Sequence, residues 1–159
     1  MSLESVIEFL RVRAPDLEVE RVSTSTATVA LAARAHDVAP DCIAKTLSLR
    51  LRDEVILVVL SGESRLDNRK FKAHFGEKAR MLEADAVLDA TGHPVGGVCP
   101  FGLARPLRVF ADRSIERHPE VLPAAGSIDA AVRIAPARLV VLVDAQWVDV
   151  ALPGQTDAA

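Results

Sequence analysis

The chain predicts an α+β fold in a single domain, on three observations. Apolar residues recur with helical spacing in some segments and with a period of two in others. The two most strand-like segments, 41–51 and 55–60, are joined through Arg52 and Asp53, a connection short enough to make them an antiparallel hairpin. The 159 residues are half hydrophobic and 26% charged, enough to bury one good core, and no linker is long enough to divide them.

The elements follow in order. Leu3, Val6, Ile7 and Leu10 form a helical stripe behind Ser2 as N-cap, and Pro15 closes it. A second helix is expected over about 26–36. Segment 41–51 alternates, whereas 55–60 is continuously apolar, as in a strand buried on both faces. Asp67 caps a short helix whose Phe71 and Phe75 share a face, with Gly76 as its stop. Another helix, about 83–91, ends at Gly92. Segments 107–111 and 131–134 read as strands, separated by a turn-rich stretch that contains Pro119, Pro123 and Gly126. Pro136 suits the first turn of a helix, yet 139–143 is rich in valine and reads equally as a strand, so 137–143 stays open between the two. Residues 1–152 are expected to form the domain and 153–159 a frayed tail.

Composition narrows the function. Aromatic residues are 4% of the chain and tyrosine is missing, so the core is aliphatic. No apolar run reaches membrane-spanning length and the N-terminus lacks the order of a signal peptide, which makes a cytoplasmic protein the expectation. Cys42 and Cys99 are too few and too far apart for a disulfide framework or a zinc knuckle. His36, His74, His93 and His118 are scattered, with no spacing that puts two ligands on one face, so neither metal nor cofactor is expected. The net charge of −3 argues against a protein that wraps nucleic acid. Between Arg65 and Arg80, however, six basic residues face two acidic ones, a local net charge of +4. Such a spot touches a few phosphates near one place, or is simply a solvated helix face.

Two features are unlike ordinary scaffold. Alternation puts Lys45 on the apolar side of its strand with Ile43, Leu47, Leu49 and Leu51, while Thr46 points the other way. An ammonium there loses its proton, snorkels to water, or meets an anion at the edge of a cavity. Residues 92–102 then crowd four of the chain's eight glycines and two of its nine prolines into one loop. Its main-chain amides suit an anion or oxyanion.

Lys45-Thr46-Leu47, followed by Gly96-Gly97-Val98-Cys99-Pro100-Phe101-Gly102 and by Ile134-Ala135-Pro136, resembles the YbaK-like family, freestanding relatives of the editing domain inserted in bacterial prolyl-tRNA synthetases. The resemblance covers nearly the whole chain. It implies a mixed, mostly antiparallel, barrel-like sheet surrounded by helices, and hydrolysis of a wrongly attached amino acid from a tRNA 3′ end. It also implies that Lys45 positions the terminal nucleotide or the ester and that Gly96 through Gly102 wall the amino-acid pocket. Cys99 stands where a serine or threonine is common, and His93 marks the loop entrance.

On this reading Lys45 and the amides of Gly97, Val98 and Cys99 carry catalysis. Gly96, Pro100, Phe101, Gly102, His93, Thr46 and Asp129 contact substrate, and Arg65, Arg69, Lys70 and Lys72 contact tRNA. The substrate is a small mischarged amino acid of the alanine, cysteine or serine type, on tRNA-Pro or a related tRNA, with a synthetase as a further partner. The ribose hydroxyl beside the ester orients or activates the attacking water. A noncatalytic module that binds a tRNA end, an aminoacyl-nucleotide or a synthetase stays open beside this reading. A thiol mechanism or redox role at Cys99 is a third alternative and would need a base to lower the thiol pKa.

Overall fold

The computed structural model describes residues 2–152, so the expected tail at 153–159 lies outside the described residues. Five helices occur in order: α1 (Ser2–Arg13), α2 (Val29–Ala35), α3 (Asn68–Phe75), α4 (Ala84–Thr91) and α5 (Pro136–Leu142). The strands are β1 (Val19–Arg21), β2 (Ile43–Arg50), β3 (Val55–Ser61), β4 (Arg65–Leu66), β5 (Arg108–Asp112), β6 (Leu122–Pro123), β7 (Ala130–Val132), β8 (Gln146–Val148) and β9 (Ala151–Leu152).

The central sheet has the order β6-β2-β3-β5-β8. It is mixed: β2 and β3 form the expected antiparallel hairpin, and the other three pairings are parallel. The sheet is open rather than closed, with β6 and β8 at its edges, and β1–β7 and β4–β9 form two separate antiparallel ladders. Of the β3 residues, Leu57 and Val59 join a core with Val6, Leu10, Phe101 and Ile115, while Ile56, Val58 and Leu60 join another with Leu49 and Phe71. A strand walled on both faces has no polar alternation to show, which explains its continuous apolar run.

The helix signals act as read, with three adjustments. Asp67 accepts from the amides of Arg69 and Lys70, and Gly76 and Gly92 end their helices in the left-handed region. Helix α2 starts later than 26 because the Thr28 hydroxyl accepts from Leu31 N and caps it. Ser2 lies within α1, and its hydroxyl reaches across to His93 Nδ1 (2.6 Å) and Gly126 O (2.5 Å) instead of capping. Asp41 belongs to a 3-10 turn, Pro40–Cys42, that leads into β2. Residues 136–142 are helical: Leu139 is buried while Val141 is 81% exposed, which helical geometry allows and a strand burying alternate residues 139, 141 and 143 does not.

Candidate functional site

Lys45 is half-buried on β2, opposite Leu60 of β3. Its ammonium donates to Gly62 O at 3.1 Å and to Ser64 O, the carbonyls of the turn that follows β3. Burial pushes its pKa down and the Asp41 carboxylate pulls it back up. Asp41 is 5% exposed, and its oxygens accept from Ser61 Oγ (2.7 Å), Arg117 Nη2 (2.8 Å) and His118 Nε2 (2.7 Å). Burial alone would raise its pKa, but these donors outweigh burial and hold the carboxyl down to about 2. Ser61 Oγ also lies 2.9 Å from Ser64 Oγ, so Asp41 ties down the turn that holds the lysine. The sequence reading missed this network, because Asp41, Ser61 and Arg117 share no local pattern.

A cavity of about 290 Å³ lies along the free part of β2. Its walls include Lys45 and Thr46 from the strand, Gly96 and Val98 from the Gly/Pro loop, and a set of small residues, Ala27, Ala32, Ala44, Ala124, Ala130 and Ala131. Gly96 is needed there: with φ of 90°, any Cβ on it would stand 3.1 Å from Ala27 Cβ and Ile128 Cγ2.

Val95 is exposed and also lines the cavity, whereas Gly97 and residues 99–101 face inward. Gly97 N donates to Pro94 O (2.9 Å) and Gly97 O accepts from Gly126 N (2.9 Å), so the Gly97 amide expected to serve an oxyanion is already committed. Cys99 and Phe101 are fully buried in the core, and Phe101 packs 6.0 Å from the ring of Phe9. Burial drives the Cys99 thiol up to about 12. His93 is also fully buried; Nε2 donates to Phe101 O at 2.7 Å, while Nδ1 meets Ser2, so the ring staples the loop to α1. Pro100 is buried and Gly102 packs on the Ser5 carbonyl. Asp129 accepts from Ser127 Oγ and from Arg21 Nη2 (2.8 Å) and does not line the cavity. The sequence reading passed over Thr26, Val29, Met81, Leu122 and the alanines, which reach the cavity only through tertiary contacts.

The sequence profile of the aminoacyl-tRNA editing domain matches residues 23–142, a span that holds Lys45, the loop and every wall of the cavity. The chain belongs to the aminoacyl-tRNA editing domain family. It is 43% identical over 152 residues to the uncharacterized protein YwhH of Bacillus subtilis (strain 168), covering 94% of this chain and 97% of that protein. A 75-residue stretch, 46% of this chain, is 37% identical to 13% of the proline--tRNA ligase of Citrifermentans bemidjiense. A solved protein proposed as a trans-editing enzyme for prolyl-tRNA synthetase superposes with a TM-score of 0.88 at 31% identity, over 96% of this chain and 98% of that one.

On this editing domain the basic segment spreads over β4, α3 and the residues that follow. Arg65, Arg69 and Lys72 are exposed, while Lys70 pairs with Asp149 (3.0 Å) and donates to Ala151 O. The other histidines have local tasks: His36 sits 3.5 Å from Glu20, His74 stacks edge-on against Phe75, and His118 binds Asp41. No helix among the described residues is long and apolar enough to cross a membrane.

Proposed function

We propose that this chain is a trans-editing deacylase that hydrolyses the ester joining a small, wrongly attached amino acid to the 3′ end of a tRNA. The observation that carries the reading is the cavity shared by Lys45 with Gly96 and Val98. Water adds to the acyl carbon, the ester C–O bond breaks, the amino acid leaves as its carboxylate with a proton released, and the ribose hydroxyl regains its hydrogen. Two of the three N–H donors of Lys45 go to Gly62 and Ser64, which fixes the ammonium and leaves one donor for a phosphate or ribose oxygen of the terminal nucleotide. The neighbouring ribose hydroxyl orients the water.

Selectivity on this reading is steric. A pocket walled by alanines, Val98 and Gly96 admits an alanine, serine or cysteine ester and clashes with a larger residue. The kinship with proline--tRNA ligases and with the solved relative favours tRNA-Pro or a related tRNA, and a synthetase as the partner that delivers it. Arg65, Arg69, Lys70 and Lys72 are the residues that would touch its phosphates.

A panel of mischarged tRNAs tests the proposal with the wild type and Lys45→Ala. Turnover of at least one small aminoacyl ester, lost in the variant, is the expected result. Binding without turnover anywhere in the panel makes the protein a noncatalytic module instead. A tRNA ending in a 2′-deoxy nucleotide should be cleaved much more slowly, and equal rates would remove the ribose hydroxyl from the mechanism.

A further inference from the structure

The cavity lies against a gap in the hydrogen-bond ladder of β2. Leu51 N donates to Glu54 O within the hairpin, whereas Arg50 N donates outward to Arg80 O (2.8 Å) and Ser48 O accepts from Leu82 N (3.2 Å). Even-numbered residues of β2 therefore turn their amides and carbonyls away from β3. At the other end of the strand, Ile43 and Ala44 pair with Leu122 and Pro123 of β6. Thr46 falls between these two paired regions. Its N–H and C=O point out of the sheet edge with no hydrogen-bond partner among the described residues, and the same holds for Ser48 N–H. The residues that flank the gap, Leu122 and Ala124 on one side and Met81 and Leu82 on the other, line the cavity together with Thr46 and Ser48. Thr46 Oγ1 and Ser48 Oγ are in addition buried without a partner.

We infer that this gap receives the α-amino-acyl group of the substrate as one more strand residue, its carbonyl oxygen accepting from Thr46 N–H and its ammonium donating to Thr46 C=O. The inference rests on the editing reading and names the atoms that hold the acyl group. An α-amino acid carries an N–H donor and a C=O acceptor at the spacing of a peptide residue, so it makes the two-bond exchange of an antiparallel pair, which a simple ester does not. The residue opposite Thr46 in such a pair places its side chain on the same face of the sheet as Thr46, beside the two unpartnered hydroxyls. Thr46 N–H then remains within reach of the carbonyl oxygen as negative charge builds on it, the task for which the Gly97 amide is not free.

The test uses 3′-alanylamino-3′-deoxyadenosine, whose amide resists hydrolysis, and its lactyl counterpart, in which a hydroxyl replaces the amine. Each is titrated into the ¹⁵N-labelled protein. Binding of the alanyl compound should move the Thr46 amide resonance together with those of Gly96 and Val98, and the lactyl compound should bind at least about tenfold more weakly, as expected for loss of a hydrogen bond from a charged donor. Shifts at Gly96 and Val98 with Thr46 unmoved, or equal affinity for the two compounds, overturn the inference while leaving the editing reading intact. If neither compound perturbs any residue of the cavity, both readings are overturned.

Discussion

Gly62 approaches Pro40 so closely that a Cβ on Gly62 would stand 2.1 Å from the Pro40 carbonyl oxygen, with Val29 Cγ1 at 2.7 Å. Neither obstacle can be relieved by rotating the distant end of a long side chain. The contact clamps the turn that carries the Lys45 acceptors against the 3-10 turn that carries Asp41, so the close approach of Gly62 to Pro40 sets where the ammonium stands.

Gly62→Ala should therefore cost stability and activity together. Overpacking of this kind destabilises by about 1–3 kcal/mol, and the displaced turn moves Lys45. Urea unfolding and deacylation kinetics on the same sample check it. A variant with wild-type stability and kcat/KM would show that the clamp is dispensable.

Much of this architecture is legible in sequence where the cause is local. Asp67, Gly76 and Gly92 mark helix ends because the groups they satisfy lie within four residues, and the hairpin follows from its short connection. The side of β2 that bears Lys45 follows from alternation alone. What escapes is what distant segments decide. The two-residue strand β6 exists only through its parallel pairing with Ile43 and Ala44, and the Asp41 network joins three separate segments, at 41, 61 and 117–118. The Gly/Pro loop is recognisable by composition, but its residues divide into Val95, Gly96 and Val98 at the cavity and His93, Cys99 and Phe101 in the core by hydrogen bonds to Ser2 and by packing against Phe9.

The Asp41 charge bears on the pH dependence of any activity that needs the Lys45 ammonium. Burial already lowers the lysine pKa from 10.5, and Asp41 opposes that shift. Activity should fall as pH rises through the lowered lysine value, and in Asp41→Asn this alkaline limb should move to lower pH. Profiles of kcat/KM against pH decide it, and superimposable alkaline limbs would remove Asp41 from control of the lysine.

His93 gives stability a dependence at the acidic end. Burial lowers its pKa below the ordinary 6.5, and its bond to Phe101 O only partly opposes this. Between the folded and unfolded values the unfolded chain binds more protons, so the contribution of the neutral ring is fully present above pH 6.5 and is lost as pH falls through the lowered folded value. Denaturant unfolding from pH 7.5 down to pH 5 should show this loss, and His93→Gln should flatten it. An unchanged slope in the variant would place the acid sensitivity elsewhere.

Cys99 separates ester hydrolysis by water from thiol chemistry. Its sulfur is fully buried, 3.6 Å from His93 Nε2, but that nitrogen already donates to Phe101 O, and burial holds the thiol pKa near 12. A neutral thiol is a poor nucleophile, and the ring beside it has no free lone pair at Nε2 to take its proton. Cys99→Ala should keep kcat/KM within a few-fold of wild type while lowering stability by about 1–2 kcal/mol for the small hole it leaves in the core. Deacylation by the folded variant, confirmed by its unfolding transition, is the measurement. A loss of turnover of a hundredfold or more in a protein that still folds would assign the chemistry to sulfur and displace the positioned-water mechanism.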